Sequence, residues 1–463
     1  MTTTAVPIEW IAPPKGGSVE QSVEAGRTLR TRIGRHQQAT WKPRASRDPL
    51  QILKESDAGR LPDVLPIRYG RMAHDPFAFY RGAAAIMASD LAALPVSGIR
   101  TQVCGDCHLL NFGAFRTAEQ RCLFDVNDFD ETALGAWEWD AKRLATSVIL
   151  AGKSLGLAGS ETRGAALEAI RSYREHMRKY ATMPVLELWY DRLDESNVAA
   201  IIEAATGKRA RDARSKKLQA VSSAHAYPSF VSSMRGAVKI VDQPPLLFHP
   251  PDVPAFLDMI SATFALYRRT LSADRQALFA RFTLQDAAYK VVGVGSVGTR
   301  CLVALFTAND GSALILQMKE ARASVLETYA GAPGGRSPGA RVVDGERILQ
   351  AATDAFLGFT TDSDGRDYYV RQLHDVKAGF TVVHMNAREL HDYAAFCGWA
   401  LARAHAKAGG NAAMTAGYLG RSSSFDEAAL EFAQAYSKQN DEDYERLVDA
   451  VRKGQIAAKK EPA

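Results

Sequence analysis

The stretch Val291-Val-Gly-Val-Gly-Ser-Val-Gly-Thr-Arg300 decides the fold that we expect for this chain. Its glycines Gly293, Gly295 and Gly298 have the spacing G-x-G-x-x-G, which several nucleotide-binding folds share and which is a weak signal alone. The flanking sequence separates these folds. A dinucleotide-binding unit continues directly into a helix and carries an acid about 20 residues later. Here the glycines are followed by Cys301-Leu-Val-Ala-Leu-Phe306, which is typical of a strand.

The segments after this strand complete a recognisable order of elements. Asn309-Asp-Gly311 predicts a turn, and Leu314-Ile-Leu-Gln-Met-Lys319 predicts a second strand that ends on a lysine. The small lobe of protein kinases has this same order: a strand, the glycine loop, a second strand, a turn and a third strand that ends on a lysine. There the loop covers the nucleotide phosphates and the lysine pairs with them. We therefore expect the glycines, Ser296 and Lys319 to bind a nucleotide.

A lysine in this role needs an acidic partner. Glu320, Glu327 and Glu346 are the candidates, and Glu346 lies in the segment that most favours a helix. The sequence does not choose among them. The alternative for Lys319 is a solubilising lysine on an edge strand. The glycine loop upstream favours the functional interpretation.

A second motif is Cys104-Gly-Asp-Cys-His-Leu-Leu-Asn111. Asp106 and Asn111 have the offset of a kinase catalytic loop, in which Asp orients the attacking hydroxyl and Asn holds a metal ion. Gly-Asp pairs are also ordinary turn formers, so this stretch alone does not establish a function. Combined with the glycine loop, it makes Asp106 and Lys319 the expected catalytic residues.

The next acidic segment, Phe124-Asp-Val-Asn-Asp-Phe-Asp-Glu131, supplies candidate metal ligands. Asp128 lies where a kinase keeps its second metal-binding Asp. Mg²⁺ prefers hard oxygen ligands such as carboxylates and amide carbonyls. We therefore expect Asn111 and Asp128 to bind Mg²⁺, with Asp130 as an additional ligand.

The two motifs occur in the reverse of the kinase order, because Asp106 precedes the glycine loop by nearly 190 residues. A single circular permutation of the chain would restore the kinase order of the two motifs. The predicted helix His391–Lys407, with Leu401-Ala-Arg-Ala-His-Ala406, resembles the helix that leads into the catalytic loop of aminoglycoside-phosphotransferase-like kinases. We expect it to end near Thr101. Chain termini are often close together, so this topology is allowed.

The expected fold class is therefore α+β, a protein-kinase-like two-lobed fold in circularly permuted order. A mostly helical large lobe would combine residues 46–280 and 381–463, and residues 281–380 would form the small β-rich lobe. Residues 1–45 have weak periodicity and are expected to be a mobile or draped arm.

Local patterns predict several other elements. Helices are expected from Pro76 with Asp75 as the cap, and over 160–182, 185–225, 255–271, 340–355 and 425–453. Strands are expected at Thr101–Cys104 and Cys122–Val126, forming with their Asp loops a compact hairpin-like site, and at Tyr368–Leu373.

Basic residues occur in two places. Arg68, Arg71 and Arg81 flank the helix from Pro76, and arginine can bind phosphate in a bidentate fork, although a surface or ion-paired role is the commoner one. Gly207–Lys217 is a basic run without interleaved aromatic residues, which favours a solvated helix face over a nucleic-acid site.

Composition narrows the class of protein. The chain has 463 residues, with 46% hydrophobic and 24% charged residues, which is typical of soluble globular proteins. A net charge of +5 is weak evidence for a nucleic-acid partner, and none is expected. We see no signal peptide and no apolar run of about 20 residues, so we expect a cytoplasmic protein without a membrane partner.

The five cysteines are too few and too scattered for a disulfide scaffold. Cys104-Gly-Asp-Cys107, next to His108, has the spacing of a redox or metal motif. It overlaps a strand-to-loop junction, and the chain has no second Cys pair for a structural zinc site. The redox or metal interpretation is therefore disfavoured.

Seven segments together resemble the bacterial family known as domain of unknown function 2252. The resemblance implies family membership and no particular reaction. The chain departs from the family pattern at Glu346, where Gln is expected. The matching segments are Arg68–Met72, Pro76–Gly82, Gly105–Gly113, Asn127–Glu131, Gly293–Gly298, Gln317–Ala321 and Tyr369–Leu373.

The function expected from these motifs is an ATP- and Mg²⁺-dependent phosphotransferase. The acceptor, a small molecule or a protein, is not identifiable from the sequence. The alternative is a catalytically silent, nucleotide-binding regulatory protein of the same fold.

Overall fold

A computed structural model describes residues 8–194, 196–197, 230–234, 237–331, 334–373 and 384–459, and these form a mixed α+β structure, as predicted. The helices are α1 (Val19–Thr28), α2 (Pro49–Ser56), α3 (Leu65–Met72), α4 (Pro76–Gly82), α5 (Ala84–Leu91), α6 (Trp137–Ser154), α7 (Gly159–Tyr180), α8 (Val185–Tyr190), α9 (Val253–Arg268), α10 (Ala273–Phe279), α11 (Glu327–Ala330), α12 (Pro338–Leu349), α13 (Ala387–Gly409), α14 (Ala412–Leu419) and α15 (Ser424–Arg452). The strands are β1 (Arg100–Val103), β2 (Phe112–Arg116), β3 (Cys122–Val126), β4 (Ala133–Ala136), β5 (Val231–Met234), β6 (Ala237–Ile240), β7 (Leu247–Phe248), β8 (Phe282–Lys290), β9 (Cys301–Ala308), β10 (Ala313–Glu320), β11 (Gly358–Thr361) and β12 (Asp367–Gln372).

The largest sheet has six antiparallel strands in the order β11-β12-β10-β9-β8-β7. The predicted strands before and after the glycine loop are confirmed as β8 and β9, and Lys319 lies on β10. Along β9, Leu302 and Phe306 belong to the apolar cluster that includes α9, while Val303 belongs to a cluster on the other side with residues of the β5–β6 hairpin. Because both faces are covered, β9 has an almost continuous apolar sequence.

The helical region consists of α6, α7 and α13–α15 and contains the largest apolar core. The predicted helices 160–182, 391–407 and 425–453 are confirmed as α7, α13 and α15. Helices α7 and α13 are in backbone contact, since a Cβ placed on Gly398 would lie 2.0 Å from the carbonyl oxygen of Ala169. Only glycine permits so close an approach at this crossing.

The N-terminal segment, expected to be a mobile or draped arm, contains a helix that we did not predict. Helix α1 packs on α14 through glycines, because an added Cβ on Gly26 would lie 1.8 Å from the Met414 carbonyl oxygen. Gly26 is the one buried residue of α1. A helix that packs through its backbone needs no apolar stripe, which explains the weak periodicity of its sequence.

The strands around the acidic loops pair differently from the predicted hairpin-like site. Strand β1 pairs with β4, and strand β3 pairs with β2. Strands β2 and β4 were not predicted from the sequence. The pairing of Val103 with Ala133 places the loop after β1 beside the loop before β4. The β2–β3 pairing brings Asn111 next to Asn127, whose backbone N–H donates to the Asn111 carbonyl oxygen at 2.8 Å. The two acidic motifs therefore converge.

Other predicted helices are confirmed in part. Asp75 caps α4, accepting from the Ala78 N–H at 2.8 Å, and Pro76 occupies the first turn. The helix stops at Ala83, after which α5 begins. The prediction over 185–225 is met by α8 at its start, but residues 191–194 are not helical, and Leu193 bridges to Phe124 instead. Apart from 196–197, the remainder, with the basic run Gly207–Lys217, lies outside the described residues. No helix in the described ranges has both the length and the apolar character to cross a membrane.

Candidate functional site

A cleft of about 340 Å³ lies between the glycine loop with the end of β10 on one side and the acidic loops with the α2–α5 segment on the other. Both predicted motifs contribute to it, although they are far apart in the sequence. Gly298 and Lys319 are not on its surface, and Lys319 contacts it through Asp130. The predicted site residues that line it are Asp106, Asn111, Asp128, Asp130, Gly293, Gly295 and Ser296.

The loop that carries Asp106 is held by helix α6. Asp140 on this helix accepts from the backbone N–H groups of Cys104 at 2.8 Å and Gly105 at 3.0 Å. Gly105 has φ +83°, and a Cβ there would lie 2.1 Å from the Glu131 carbonyl oxygen. Glycine is required by the conformation and by the contact between the two acidic loops. The loop is therefore rigidly placed.

Asp106 is paired through one of its two oxygens. Arg143 donates from Nε to Asp106 Oδ1 at 2.7 Å. Among the described residues, Asp106 Oδ2 has no hydrogen-bond partner. Burial raises the pKa of Asp106, although Arg143 opposes the shift. The carboxylate is thus more basic than an ordinary Asp, which suits a group that accepts a proton.

The candidate metal ligands Asn111 and Asp128 present oxygen atoms to the cleft. Asn111 uses Nδ2 to donate to the Asp106 carbonyl oxygen at 2.7 Å, and no described residue donates to its Oδ1. Asp128 Oδ1 accepts from the Asp130 N–H at 3.2 Å. An amide oxygen and a carboxylate in one cleft form a donor set that fits Mg²⁺.

Asp130 connects the loop between β3 and β4 to the six-stranded sheet. It forms an ion pair with Lys319 and accepts from Tyr369 OH at 2.7 Å and from Ser296 Oγ at 3.1 Å. Burial opposes it, but Lys319 lowers the pKa of Asp130. Likewise, Asp128 and Asp130 overcome burial and raise the pKa of Lys319 well above its ordinary value. The sequence offered Asp130 as an additional metal ligand; here both of its oxygens accept hydrogen bonds from the sheet side.

The three glutamates considered as partners of Lys319 are engaged elsewhere or lie apart from it. Glu320 pairs with Arg300 at 3.2 Å, and Glu327 pairs with Arg341 at 3.1 Å. Glu346 is buried, and this burial raises its pKa to about 7. Within the described ranges, none of the three forms an ion pair with Lys319. The partner comes from another part of the chain, so the candidate set drawn from nearby sequence was wrong.

The glycine loop is anchored to the segment that contains α2 and α3. Arg60 Nη1 donates to the Val297 carbonyl oxygen at 2.6 Å, and the Leu61 N–H donates to the Gly298 carbonyl oxygen at 2.8 Å. Arg71 also donates to the carbonyl oxygen of Gly293. Gly298 has φ +93°, a conformation that L side chains rarely adopt. The loop is thus fixed by the segment that contains α2 and α3.

Arginines form one wall of the cleft, and the sequence indicated two of them, Arg68 and Arg81, as phosphate-binding candidates. Arg60 and Arg322 also line it. Arg68 is paired with Asp57 at 2.8 Å. Burial lowers the pKa of Arg60 to about 9, with smaller contributions from Arg68 and Arg322. A wall of clustered guanidinium groups favours an anionic ligand.

The motif Cys104-Gly-Asp-Cys107 lies behind the cleft. Ligand atoms of Cys104, Cys107 and Asp140 lie within 4.8 Å of one another, the one such group of three within the described ranges. Asp140 is already engaged by backbone N–H groups and by His405 Nε2 at 3.1 Å. Burial raises the pKa of both thiols, that of Cys107 to about 11. Protonated thiols are poor nucleophiles, and three ligand atoms fall short of the four of a structural zinc site, which agrees with the interpretation from the sequence.

The fold and the cleft define an α+β protein whose cleft, beside the edge of the six-stranded sheet, is lined by both carboxylates and arginines. The family model for DUF2252, described as an uncharacterized protein conserved in bacteria, matches residues 60–450. The chain belongs to this family, which confirms the resemblance noted in its sequence. No curated protein and no solved structure matches the chain.

Proposed function

We propose that this protein is an ATP- and Mg²⁺-dependent phosphotransferase with a kinase-like, two-lobed fold in circularly permuted order. One observation carries the proposal. The glycine loop, the Lys319–Asp130 pair, Asp128, Asn111 and Asp106 meet at one cleft, although they come from two distant parts of the chain. Turn motifs that matched the kinase pattern only by chance would not be expected to lie at the same cleft.

Two features of the topology support the permuted fold. Strands β8, β9 and β10 with their connecting loops have the order of a kinase small lobe. Helix α13 ends beside β1, since Asn411 Nδ2, just after the helix, donates to the Arg100 carbonyl oxygen at 2.6 Å. This contact is the one that the permutation requires between the helix and the catalytic-loop strand.

The phosphate-binding roles follow from the positions of the groups. Backbone N–H groups of the Gly293–Gly298 loop would bind the ATP phosphates, and Lys319 would add a positive charge next to them. Asn111 and Asp128 would hold Mg²⁺, with Asp130 joining only if Lys319 moves to the nucleotide. A bound Mg²⁺ supplies neutralisation of phosphate charge.

Asp106 would orient the acceptor hydroxyl and take its proton on Oδ2. Arg143 holds Oδ1 and so fixes the direction of the second oxygen. A carboxylate of raised pKa is a better base at neutral pH than an ordinary Asp. Positioning and charge neutralisation would provide most of the rate enhancement.

A turnover assay tests this proposal. The protein is incubated with γ-labelled ATP and Mg²⁺, alone and with pools of hydroxyl-bearing metabolites or proteins, and label transfer and ATP hydrolysis are measured. We expect transfer or slow hydrolysis that disappears in the Asp106→Asn variant. Tight ATP binding without any turnover in these pools would favour the silent regulatory protein instead.

A further inference from the structure

Arg81 and His108 form a corner of the cleft that we call the Arg81–His108 corner. Both side chains line the cleft. His108 is 5% exposed, and its Nδ1 is buried without a hydrogen-bond partner. The Nε of Arg81 is likewise buried and unpartnered, and its guanidinium forms no hydrogen bond or ion pair with the described residues.

Two neighbouring arginines, Arg68 and Arg143, differ from Arg81 because their Nη groups are engaged, although the Nε of Arg68 is also buried without a hydrogen-bond partner. Arg68 pairs with Asp57 at 2.8 Å and donates to the Gly82 carbonyl oxygen at 3.0 Å. Arg143 pairs with Asp106 and donates to the Tyr80 carbonyl oxygen at 3.1 Å. Buried polar groups in native proteins are nearly always hydrogen-bonded, and a buried charge without a partner is costly. Arg81 and His108 therefore have the character of ligand-binding groups.

The position of the corner indicates what its ligand is. His108 lies two residues after Asp106, and the charge of Arg81 is felt at Asp106. An imidazole N–H and a neighbouring guanidinium can both donate hydrogen bonds to one anionic group. A cationic acceptor would instead meet the unpaired charge of Arg81.

We propose that the acceptor carries an anionic group, a carboxylate or a phosphate, which Arg81 and His108 bind while its hydroxyl faces Asp106. This inference rests on the proposed phosphotransferase function and names the substrate class of the same cleft. In the transfer, the acceptor oxygen forms a bond to the γ-phosphorus, and the bond from that phosphorus to the bridging oxygen of ADP breaks. The hydroxyl proton passes to Asp106, and ADP leaves.

The same chemistry could come from the phosphates of the nucleotide. A Cβ on Gly295 would lie 3.3 Å from the Arg81 carbonyl oxygen, so the backbone of Arg81 is close to the glycine loop. The nucleotide phosphates, however, would already be bound by the N–H groups of the glycine loop and by Lys319 once it moves from Asp130. We therefore assign the corner to the acceptor, and the experiment separates the two sources.

Calorimetry with inorganic phosphate as the probe tests the assignment. Full-length protein is titrated with phosphate, alone and saturated with Mg²⁺ and AMP-PNP, in the wild type and in Arg81→Gln, His108→Phe and Arg388→Gln. Arg388 is the matched control, because its side chain is 90% exposed on α13. Thermal melts show whether each variant folds. If His108→Phe does not fold, the phosphate affinity of Arg81→Gln alone tests the assignment.

We expect the wild type to bind phosphate in both states. The two corner variants should lose about tenfold or more in phosphate affinity while their AMP-PNP affinity changes by less than about threefold, and Arg388→Gln should behave as wild type. Phosphate that competes with AMP-PNP, or an Arg81→Gln variant that loses nucleotide affinity equally, would overturn the inference, as would absent phosphate binding. Failure of AMP-PNP to bind, with Arg81-dependent phosphate binding retained, would overturn the proposed function and leave the anion site standing.

Discussion

Lys319 on strand β10 forms an ion pair with Asp130, which lies 189 residues earlier in the chain. Tyr369 is the cross-strand neighbour of Lys319 and donates to the same carboxylate at 2.7 Å. This contact joins the second strand after the glycine loop to the loop that carries Asp128. The acidic segment and the strand that ends on Lys319 are therefore in direct contact, although they are far apart in the sequence.

Replacement of Asp106 by Asn should separate catalysis from binding. The variant keeps a similar shape, but Asn cannot accept a proton, so we expect turnover to fall by about 10²-fold or more. Nucleotide affinity should change by less than about threefold, because Asp106 faces the acceptor side. Steady-state kinetics and calorimetry on the same preparations measure the two effects. Equal loss of both would contradict the role given to Asp106.

The backbone of the glycine loop can be tested with a matched pair of alanine variants. Gly298 and Gly311 both have positive φ, at +93° and +81°. Gly311→Ala should therefore cost about 1 kcal/mol of stability, and Gly298→Ala should cost more, because its added Cβ would lie 3.0 Å from the Arg60 Cβ. Only Gly298→Ala should also weaken nucleotide binding, since Gly311 lies in the distant β9–β10 turn. A similar nucleotide affinity for the two variants would argue against the loop as a phosphate site.

How much of this site the sequence could predict depends on whether a contact is local. The Asp75–Pro76 start of α4 and the strands around the glycine loop were predictable, because caps and periodicity act over a few residues. The partner of Lys319 was not predictable from the sequence. Glu320 and Glu327 form ion pairs with arginines, and the β1–β4 pairing brings Asp130 to Lys319.

The other differences have the same origin. Helix α1 gives little apolar signal because its one buried residue is Gly26, through which it packs on α14. Strands β2 and β4 are short, and their partners are set by the three-dimensional fold. His108 was noted in the sequence only as a neighbour of the cysteines, and its unpartnered nitrogen is visible only in the structure.

The pKa of Glu346 leads to a prediction on stability and pH. Burial raises this pKa to about 7, above the unfolded value of about 4.3, so the folded state binds the proton more tightly. The contribution of Glu346 to stability is therefore greatest below pH 4 and is lost as the pH rises to about 7. Glu346→Gln should stabilise the protein at pH 8 by roughly 2–3 kcal/mol and have little effect at pH 4.

Urea denaturation of the wild type and of this variant at both pH values measures the difference. Glu445→Gln, on the exposed part of α15, is the control and should show no such pH dependence. A Glu346→Gln variant that is equally or less stable than the wild type at pH 8 would show that Glu346 is needed as a charged group, for example through Arg371.

The metal-ligand assignment predicts a change in Mg²⁺ requirement. Asn111→Ala removes an oxygen donor from the cleft, so the Mg²⁺ concentration needed for half-maximal nucleotide binding should rise about tenfold. Asn309→Ala, in the exposed β9–β10 turn, should leave it unchanged. An unaltered Mg²⁺ titration in Asn111→Ala would remove this residue from the proposed metal site.

Calorimetric titration of the wild type and Lys319→Met with ATP, with Mg²⁺ and with EDTA, tests the central claim most directly. We predict micromolar binding that needs Mg²⁺ and weakens at least tenfold in Lys319→Met, because the ammonium group next to the phosphates is lost. No binding of ATP by the folded wild type in Mg²⁺, or binding that Lys319→Met leaves intact, would contradict the account.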